Sequence, residues 1–260
     1  MHENKKTSFG SSFKNENKVS LAVYLMIFII TFVAFINTLI IGDWVKIGLA
    51  IAALIIYEIP LLVTIFFKIK LPAVLETTFY LFIFASLILG EVFAFYGPFP
   101  FWDVVLHFLS GFVIAGIGLS IIENMNKGNK KSKLLTLLFA FCFSITIGIM
   151  WECLEFTFDM TMRTDAQKDT HVNSISTITL QRDGGNRPVK VDNIEKTDIY
   201  LQNGEVITID EGYLDIGLMD TMKDILVNVA GAAVFCGFGV FYLKRRSKNS
   251  FIDNFILTKE

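Results

Sequence analysis

Six stretches of the chain are apolar almost without interruption: Ser20 to Ile41, Val45 to Phe67, Leu75 to Tyr96, Trp102 to Ile122, Leu134 to Phe158 and Met219 to Leu243. A helix needs roughly 20 apolar residues to cross a hydrocarbon core, so each stretch qualifies as a span. Most charged residues lie in the termini, a few short loops and one polar stretch from Thr161 to Gly217. The pattern predicts an all-α membrane protein, a six-transmembrane-helix bundle with a small β-rich insertion between spans 5 and 6. Its parts are a polar N-terminus (1–19), spans 1 to 5 (20–160), the insertion (161–217), span 6 (218–243) and a C-terminal tail (244–260). The first span follows polar residues and shows no small-residue cleavage site, so it is expected to be a retained helix.

Within the insertion, Ser174 to Gln181 alternates β-branched and polar residues. Asp198 to Gln202 can pair with Glu205 to Asp210 across Asn203-Gly204, a dipeptide suited to a tight hairpin. A small β-meander is the expectation, with too few large apolar residues for a core of its own.

Charge adds an orientation. Lys5, Lys6, Lys14 and Lys18 precede span 1, and Lys68 and Lys70 follow span 2. Lys127, Lys130, Lys131 and Lys133 separate spans 4 and 5, and Lys244, Arg245, Arg246 and Lys248 follow span 6. All four clusters fall on one side, which the positive-inside rule makes the cytoplasm. Both termini are then cytoplasmic in a plasma or inner membrane, and the acidic insertion is extracytoplasmic. Trp44, Tyr96, Trp102 and Trp151 fall where aromatic residues anchor helices at headgroup level.

Composition removes other classes. A chain that is 53% hydrophobic and 18% charged is not a single soluble globule. A net charge of -2 offers no basic surface for nucleic acid. Cys142, Cys153 and Cys236 have neither a CxxC nor a Cys/His spacing, so they read as small buried hydrophobes rather than disulfide or zinc ligands.

Ionisable residues inside spans are costly and mark function unless a partner is evident. Asp103 and His107 are spaced i, i+4 at the outer end of span 4, Glu152, Glu155 and Asp159 i, i+3, i+7 in span 5, and Asp220, Asp224 and Asn228 i, i+4, i+8 in span 6. Each set forms a stripe on one helical face. Glu91 lies near the outer end of span 3. Three stripes at one depth predict a shared, outward-facing acidic pocket. Carboxylates gathered there repel one another and must take up protons, bind cations or pair with bases. Bases are few, Lys223, His107 and Arg163 among them, so one divalent cation (Mg, Mn or Zn) held by carboxylate oxygens and an imidazole is the economical solution. The candidate metal ligands are Asp103, His107, Glu152, Glu155, Asp220 and Asp224, with Glu91, Asp159 and Asn228 as a surrounding polar network. The competing reading makes Asp103 a helix cap after Pro100, Asp220-Thr221 a helix start and His107 a satisfied core histidine. Glu58 stands apart, too deep for the cluster. Beside Pro60 it is expected to bond a freed carbonyl or face a partner helix.

Three segments carry a resemblance: Phe101-Trp102-Asp103-Val104-Val105-Leu106-His107-Phe108-Leu109-Ser110-Gly111-Phe112, Met150-Trp151-Glu152-Cys153-Leu154-Glu155-Phe156, and Asp220-Thr221-Met222-Lys223-Asp224 with Gly231-Ala232. In this order they resemble the signature segments of the YjdF-like family of bacterial multi-pass inner-membrane proteins, whose function is unestablished. The resemblance implies the fold and the site positions Asp103, His107, Glu152, Glu155, Asp220 and Asp224, and it names no reaction. Relatives join spans 5 and 6 by a shorter link, which marks the insertion as an elaboration.

Three functions compete on these residues. One is a divalent-metal-dependent enzyme acting on a lipid headgroup or another phosphate or ester, with the metal as Lewis acid or water activator. Another is an ion-coupled transporter, against which stand the nearly uncharged cytoplasmic halves of spans 4 to 6 and the lack of an inverted repeat. The third is a non-catalytic module whose insertion (161–217) binds an extracytoplasmic partner while the polar network packs helices in the lipid bilayer. No serine elbow or HExxH pattern is present.

Overall fold

The computed structural model describes residues 18–125, 132–245, 252, 255 and 257–259. Lys5, Lys6, Lys14, Lys127, Lys130, Lys131, Arg246 and Lys248, on which the charge argument draws, lie outside the described residues. Among the described residues, six helical segments are long and apolar enough to cross a membrane.

Span 1 is α1 (Lys18–Ile41). Span 2 is two helices, α2 (Trp44–Ile56) and α3 (Ile59–Phe67), because Pro60 has no N–H to bond back into the preceding turn. Asp43 starts α2 by accepting from the Lys46 amide at 3.1 Å, as an N-cap does. Span 3 begins as α4 (Ala73–Ile83) and continues as a π-helical segment, Phe84–Val92. It ends before Tyr96, where the sequence placed its end, because Ala94 takes a left-handed conformation (φ 56°) and reverses the chain. The Trp102 indole N–H donates to the Ala85 carbonyl at 3.0 Å and ties that irregular segment to the next helix. Spans 4 to 6 are α5 (Trp102–Met125), α6 (Lys133–Met162) and α7 (Leu218–Arg245).

The described residues form two compact units, one comprising those up to Gly148 and from Val227, the other Ile149–Leu226. The first unit has two cores. Ile27, Ala34, Ala50, Ala53, Tyr57, Tyr80 and Ile88 fill one, among α1, α2, α4 and the π segment. Leu75, Ala115, Leu119, Ala140, Ala232 and Phe235 fill the other, among α4 to α7. Large apolar side chains remain outward, with Ile40 79%, Phe66 75% and Phe241 70% exposed. Such faces suit lipid and not water.

Glu58 takes the partner-helix option: Tyr24 of α1 donates to its Oε1 at 2.7 Å. Glu76 is bonded similarly, by Ser20 at 2.8 Å and Tyr80 at 3.2 Å. The cysteine reading needs correction. Cys142 and Cys153 are exposed on α6 and only Cys236 is partly buried, because α6 turns Ser144 and Gly148, not its cysteines, toward its neighbours.

The C-terminal tail contributes to the packing. Ile252 and Phe255 are 1% and 3% exposed within the second core. β8 (Thr258–Lys259) pairs antiparallel with β1 (Ile69–Lys70), just after α3.

The second unit holds the insertion. β5 (Thr197–Tyr200) pairs with β6 (Val206–Ile209) as the Asn203-Gly204 turn predicts, and Gly204 supplies the required positive φ of 86°. β3 (Ile175–Thr177) pairs with β4 (Val189–Val191), and β2 (Thr170–Val172) with β7 (Tyr213–Asp215). These are separate two-stranded ladders, not a meander. Strands of three or four residues bury too little apolar surface to join into one sheet.

Backbones approach most closely where α5 meets α7. A Cβ on Gly111 would lie 2.1 Å from the Asn228 carbonyl oxygen, and one on Gly231 would lie 2.1 Å from that of Phe108. Gly111→Ala should therefore destabilise the protein by about 1–3 kcal/mol through overpacking. Gly237→Ala, whose Cβ meets nothing within 4 Å, should be neutral or stabilising by up to about 1 kcal/mol. Thermal denaturation in detergent compares them. Equal shifts for the two variants would mean that this crossing is not closely packed.

Candidate metal centre

Asp103 lies in the first turn of α5, inside the helix that begins at Trp102, so it is not the N-cap. One turn on, His107 Nε2 is 3.5 Å from Asp103 Oδ1, and the His107 and Asp103 side chains are 12% and 22% exposed. The next turn of that face is Gly111, where α5 touches α7. Asn228 of α7, 2% exposed, donates through Nδ2 to Ser110 Oγ at 3.1 Å. Its Oδ1 sits where a Cβ on Gly148 would come within 2.8 Å, so α6 lies against the same amide. Ser144, one turn before Gly148, donates to the Gly111 carbonyl at 2.8 Å. Inside the first unit, then, α5, α6 and α7 meet at Gly111, Gly148 and Asn228.

One turn further toward its Trp102 end α5 carries His107, while Glu152 of α6 and Asp224 of α7 belong to the second unit. Glu152 is 4% and Asp224 1% exposed. Asp103, His107 and Asp224 form a buried group that could hold a metal ion: each offers one ligand atom, and these atoms lie within 4.8 Å of one another. The donors are two hard carboxylate oxygens and one borderline imidazole nitrogen, a set suited to Zn or Mn more than to Mg, which favours oxygen and retains its waters.

The remaining predicted residues sit as follows. Glu152 follows Ser144 and Gly148 at i+8 and i+4, and this inward stripe of α6 is only partly the one the carboxylate spacing suggests. Glu155 is rotated roughly 60° from Glu152 at 100° per residue, and its Oε1 accepts the Trp151 indole N–H at 2.7 Å. Asp159 clamps the start of the insertion, accepting from the Thr164 hydroxyl and Ala166 amide at 2.7 Å and the Gln167 amide at 2.9 Å. Asp220 accepts the Lys168 amide at 2.9 Å, and Gln167 Nε2 donates to Thr221. Both tie the insertion to the first turns of α7. Lys223, 47% exposed, places Nζ 3.6 Å from Asp220 Oδ1 and 3.9 Å from Asp224 Oδ1. Glu91 falls at the end of the π segment, half-buried.

Sequence reasoning missed Ser144 and Gly148. Their signal was present as the i, i+4, i+8 series ending at Glu152, but small residues in an apolar run resemble ordinary packing positions. It also missed the clamp role of Asp159, since the Thr164, Ala166 and Gln167 contacts depend on a loop conformation with no sequence signature.

Six apolar helical segments, polar stripes on their inward faces and an insertion between the last two define a multi-pass membrane protein. The chain belongs to the family described as "Predicted membrane protein (DUF2238)", which it matches over residues 19–245. This bears out the resemblance carried by the three segments of α5 to α7. A Thermotoga maritima protein described as "Uncharacterized protein" is 33% identical over 82 residues, covering 30% of this chain and 40% of that one. The match thus spans about two fifths of that relative's length. No solved structure matches the chain.

The Asp159 clamp yields a local prediction. Asp159→Ala removes the acceptor for three donors and should cost the start of the insertion about 1–3 kcal/mol. Amide exchange at Ala166 and Gln167 should accelerate accordingly, whereas Glu155→Ala should leave both amides protected. Unchanged exchange in Asp159→Ala would place the ordering of this loop elsewhere.

Proposed function

We propose that the chain is a divalent-metal-dependent membrane enzyme acting at headgroup depth on a phosphate or ester group. The observation that carries this reading is the convergence of Asp103, His107 and Asp224 ligand atoms within 4.8 Å. Three protein ligands leave a coordination position for water or substrate, as in catalytic zinc sites. The ion would polarise the substrate oxygen or lower the pKa of a bound water. Glu152, 4% exposed, would accept that water's proton in this reading, and Glu155 and Asp220 complete the candidate ligand set. Asn228 and Glu91 support the polar surroundings. The basic clusters favour cytoplasmic termini and an external insertion in a plasma membrane, so the centre would open outward and the insertion would meet any extracytoplasmic partner.

The test is a melting curve of metal-stripped protein titrated with Mn, Zn or Mg. An ion bound only by the folded state at 100 times its Kd stabilises by about 2.7 kcal/mol, which raises Tm by about 5–10 °C for a chain of this size. Asp224→Asn and His107→Ala should abolish the shift. Glu58→Gln should retain it, since Glu58 belongs to the Tyr24 contact. If no metal moves Tm and Asp224→Asn is itself more stable than the parent, the centre is a protonated packing network and the enzyme reading fails.

Orientation has its own measurement. In intact cells, a membrane-impermeant thiol reagent should label a cysteine placed at Asn203 and spare one placed at Gly128. The opposite pattern would put the centre on the cytoplasmic side.

A further inference from the structure

Every residue of the β5–β6 hairpin from Asp198 to Thr208 is exposed. Its base is fastened, since the Thr197 hydroxyl donates to the Gly212 carbonyl at 2.7 Å and the Gly212 amide to the Glu195 carbonyl at 2.8 Å. The turn is fixed by Asn203 Oδ1, which accepts the Glu205 amide at 3.0 Å, and the Thr208 hydroxyl crosses the strands to Asp198 Oδ1 at 2.8 Å. The register from Thr197↔Ile209 to Tyr200↔Val206 alternates two faces. Tyr200 and Val206 lie on one, 78% and 46% exposed, and Ile199 and Ile207 on the other, 43% and 47% exposed. A two-stranded ladder is marginal in water without a third strand. Among the described residues none joins it. The Leu201 amide donates to the Glu205 carbonyl at 2.9 Å, and the antiparallel alternation from that pair makes Ile199 with Ile207 and Thr197 with Ile209 the further bonded pairs. The N–H and C=O groups of Val206 and Thr208 therefore point outward along the free edge of β6. That edge is β-branched throughout and carries no charge or proline, two of the devices that blunt an edge.

Charge decides what can pair there. From Thr197 to Gly217 the chain carries Asp198, Glu205, Asp210, Glu211 and Asp215 and no Lys or Arg, so both ends of β6 are acidic. Lys196, just before β5, stands 3.9 Å from Asp198 Oδ2 on the other strand. A second copy pairing in register along β6 would set Glu205 against Asp210 when antiparallel, or against its own counterpart when parallel, and like charges repel there. A strand with Lys or Arg at both ends is attracted in either direction. We propose that the outer edge of β6 binds an extended polypeptide segment by strand addition, a run of about four apolar or β-branched residues flanked on both sides by Lys or Arg. Main-chain bonds to Val206 and Thr208 supply the pairing. Alternate guest side chains fall beside Val206 and Tyr200 on one face and beside Ile207 and Ile199 on the other, so both sets are apolar. The guest must bring an unpaired backbone, as a chain terminus or an unfolded segment does. This gives a chemistry to the extracytoplasmic partner and rests on the external placement of the insertion, yet binding to purified protein tests it whichever side the insertion occupies.

The probe is the fluorescein-labelled peptide Lys-Lys-Val-Tyr-Val-Thr-Val-Lys-Lys, followed by anisotropy against the full-length protein in phosphatidylcholine nanodiscs, with empty nanodiscs as the blank. The parent should bind it about tenfold or more tightly than the same peptide with its core amides N-methylated, and by a similar factor over a version with Glu in place of Lys. Glu205→Lys combined with Asp210→Lys should reverse the second preference, a gain that a misfolded hairpin cannot produce. Thr208→Pro, which removes an outward N–H, should weaken the Lys-flanked peptide about tenfold, whereas Lys190→Gln on β4 should not. Equal binding of the N-methylated peptide would mean that strand pairing does not hold it, and unchanged preference in the charge-reversed variant would place binding elsewhere. A parent dimer that Thr208→Pro converts to a monomer would put a second copy on the edge. Stronger quenching of a Tyr200→Trp variant than of the parent by brominated phosphatidylcholine would put the bilayer there. Each of these results overturns the proposal.

Discussion

The contact between α5 and α7 at Gly111 and Gly231 sets the geometry on which the polar residues depend. In lipid there is little hydrophobic drive to bring helices together, so close backbone approach and interhelical hydrogen bonds must do it. Glycine at both positions lets the chains meet at the carbonyls of Asn228 and Phe108. Once they meet there, the 3.6-residue repeat dictates which residues face inward one turn away. On α5 that repeat puts His107 on the same face as Gly111. The Ser144 bond to the Gly111 carbonyl and the fit of Gly148 against the Asn228 amide bring α6 to the same crossing.

The first three spans handle half-buried carboxylates differently. Glu58 and Glu76 receive hydroxyl donors from Tyr24, Tyr80 and Ser20, and the Tyr24 and Tyr80 rings pack with centroids 5.2 Å apart. The aromatic bodies fill the apolar core while their hydroxyls reach the carboxylates, so one residue type meets both requirements. In α5 and α7 no tyrosine occupies the turns around Asp103, His107 and Asp224. There the neighbouring groups include another ionisable ring and the Lys223 ammonium. Hydroxyl donors satisfy a carboxylate by fixed geometry, which is a packing role, whereas the Asp103, His107 and Asp224 group could hold a metal ion.

The six spans were legible because hydrophobic run length is a direct consequence of bilayer thickness. The stripes Asp103–His107 and Asp220–Asp224–Asn228 were legible because i, i+4 spacing fixes a helical face. What escaped had tertiary causes. The break between α2 and α3 was signalled by Pro60, but the π segment after Ile83 depends on the Trp102 bond to Ala85 and leaves no composition trace. The strand pairing of β5 with β6 followed from Asn203-Gly204, a local turn, while β2 with β7 joins residues separated by the whole insertion. Ile252 and Phe255 pass for part of a polar tail because the mostly apolar run from Phe251 to Leu257 is short and flanked by charged and polar residues. The Gly116 notch that receives Phe255 lies on a distant helix.

Lys223 does little to neutralise the carboxylates beside it. Its ammonium stands 3.6 and 3.9 Å from two carboxylates, beyond hydrogen-bonding distance, and about half of the side chain is exposed. An ammonium in that position is well hydrated and screened, so it offsets little of the cost of an Asp224 carboxylate that is almost fully buried. A closer pair would have required Lys223 to leave water, at a desolvation cost of several kcal/mol. A divalent ion held by Asp103, His107 and Asp224, as proposed above, would supply the positive charge that the hydrated ammonium does not. If the group binds metal as proposed, the half-exposed Lys223 ammonium would stand at its rim, where an anionic group would meet it.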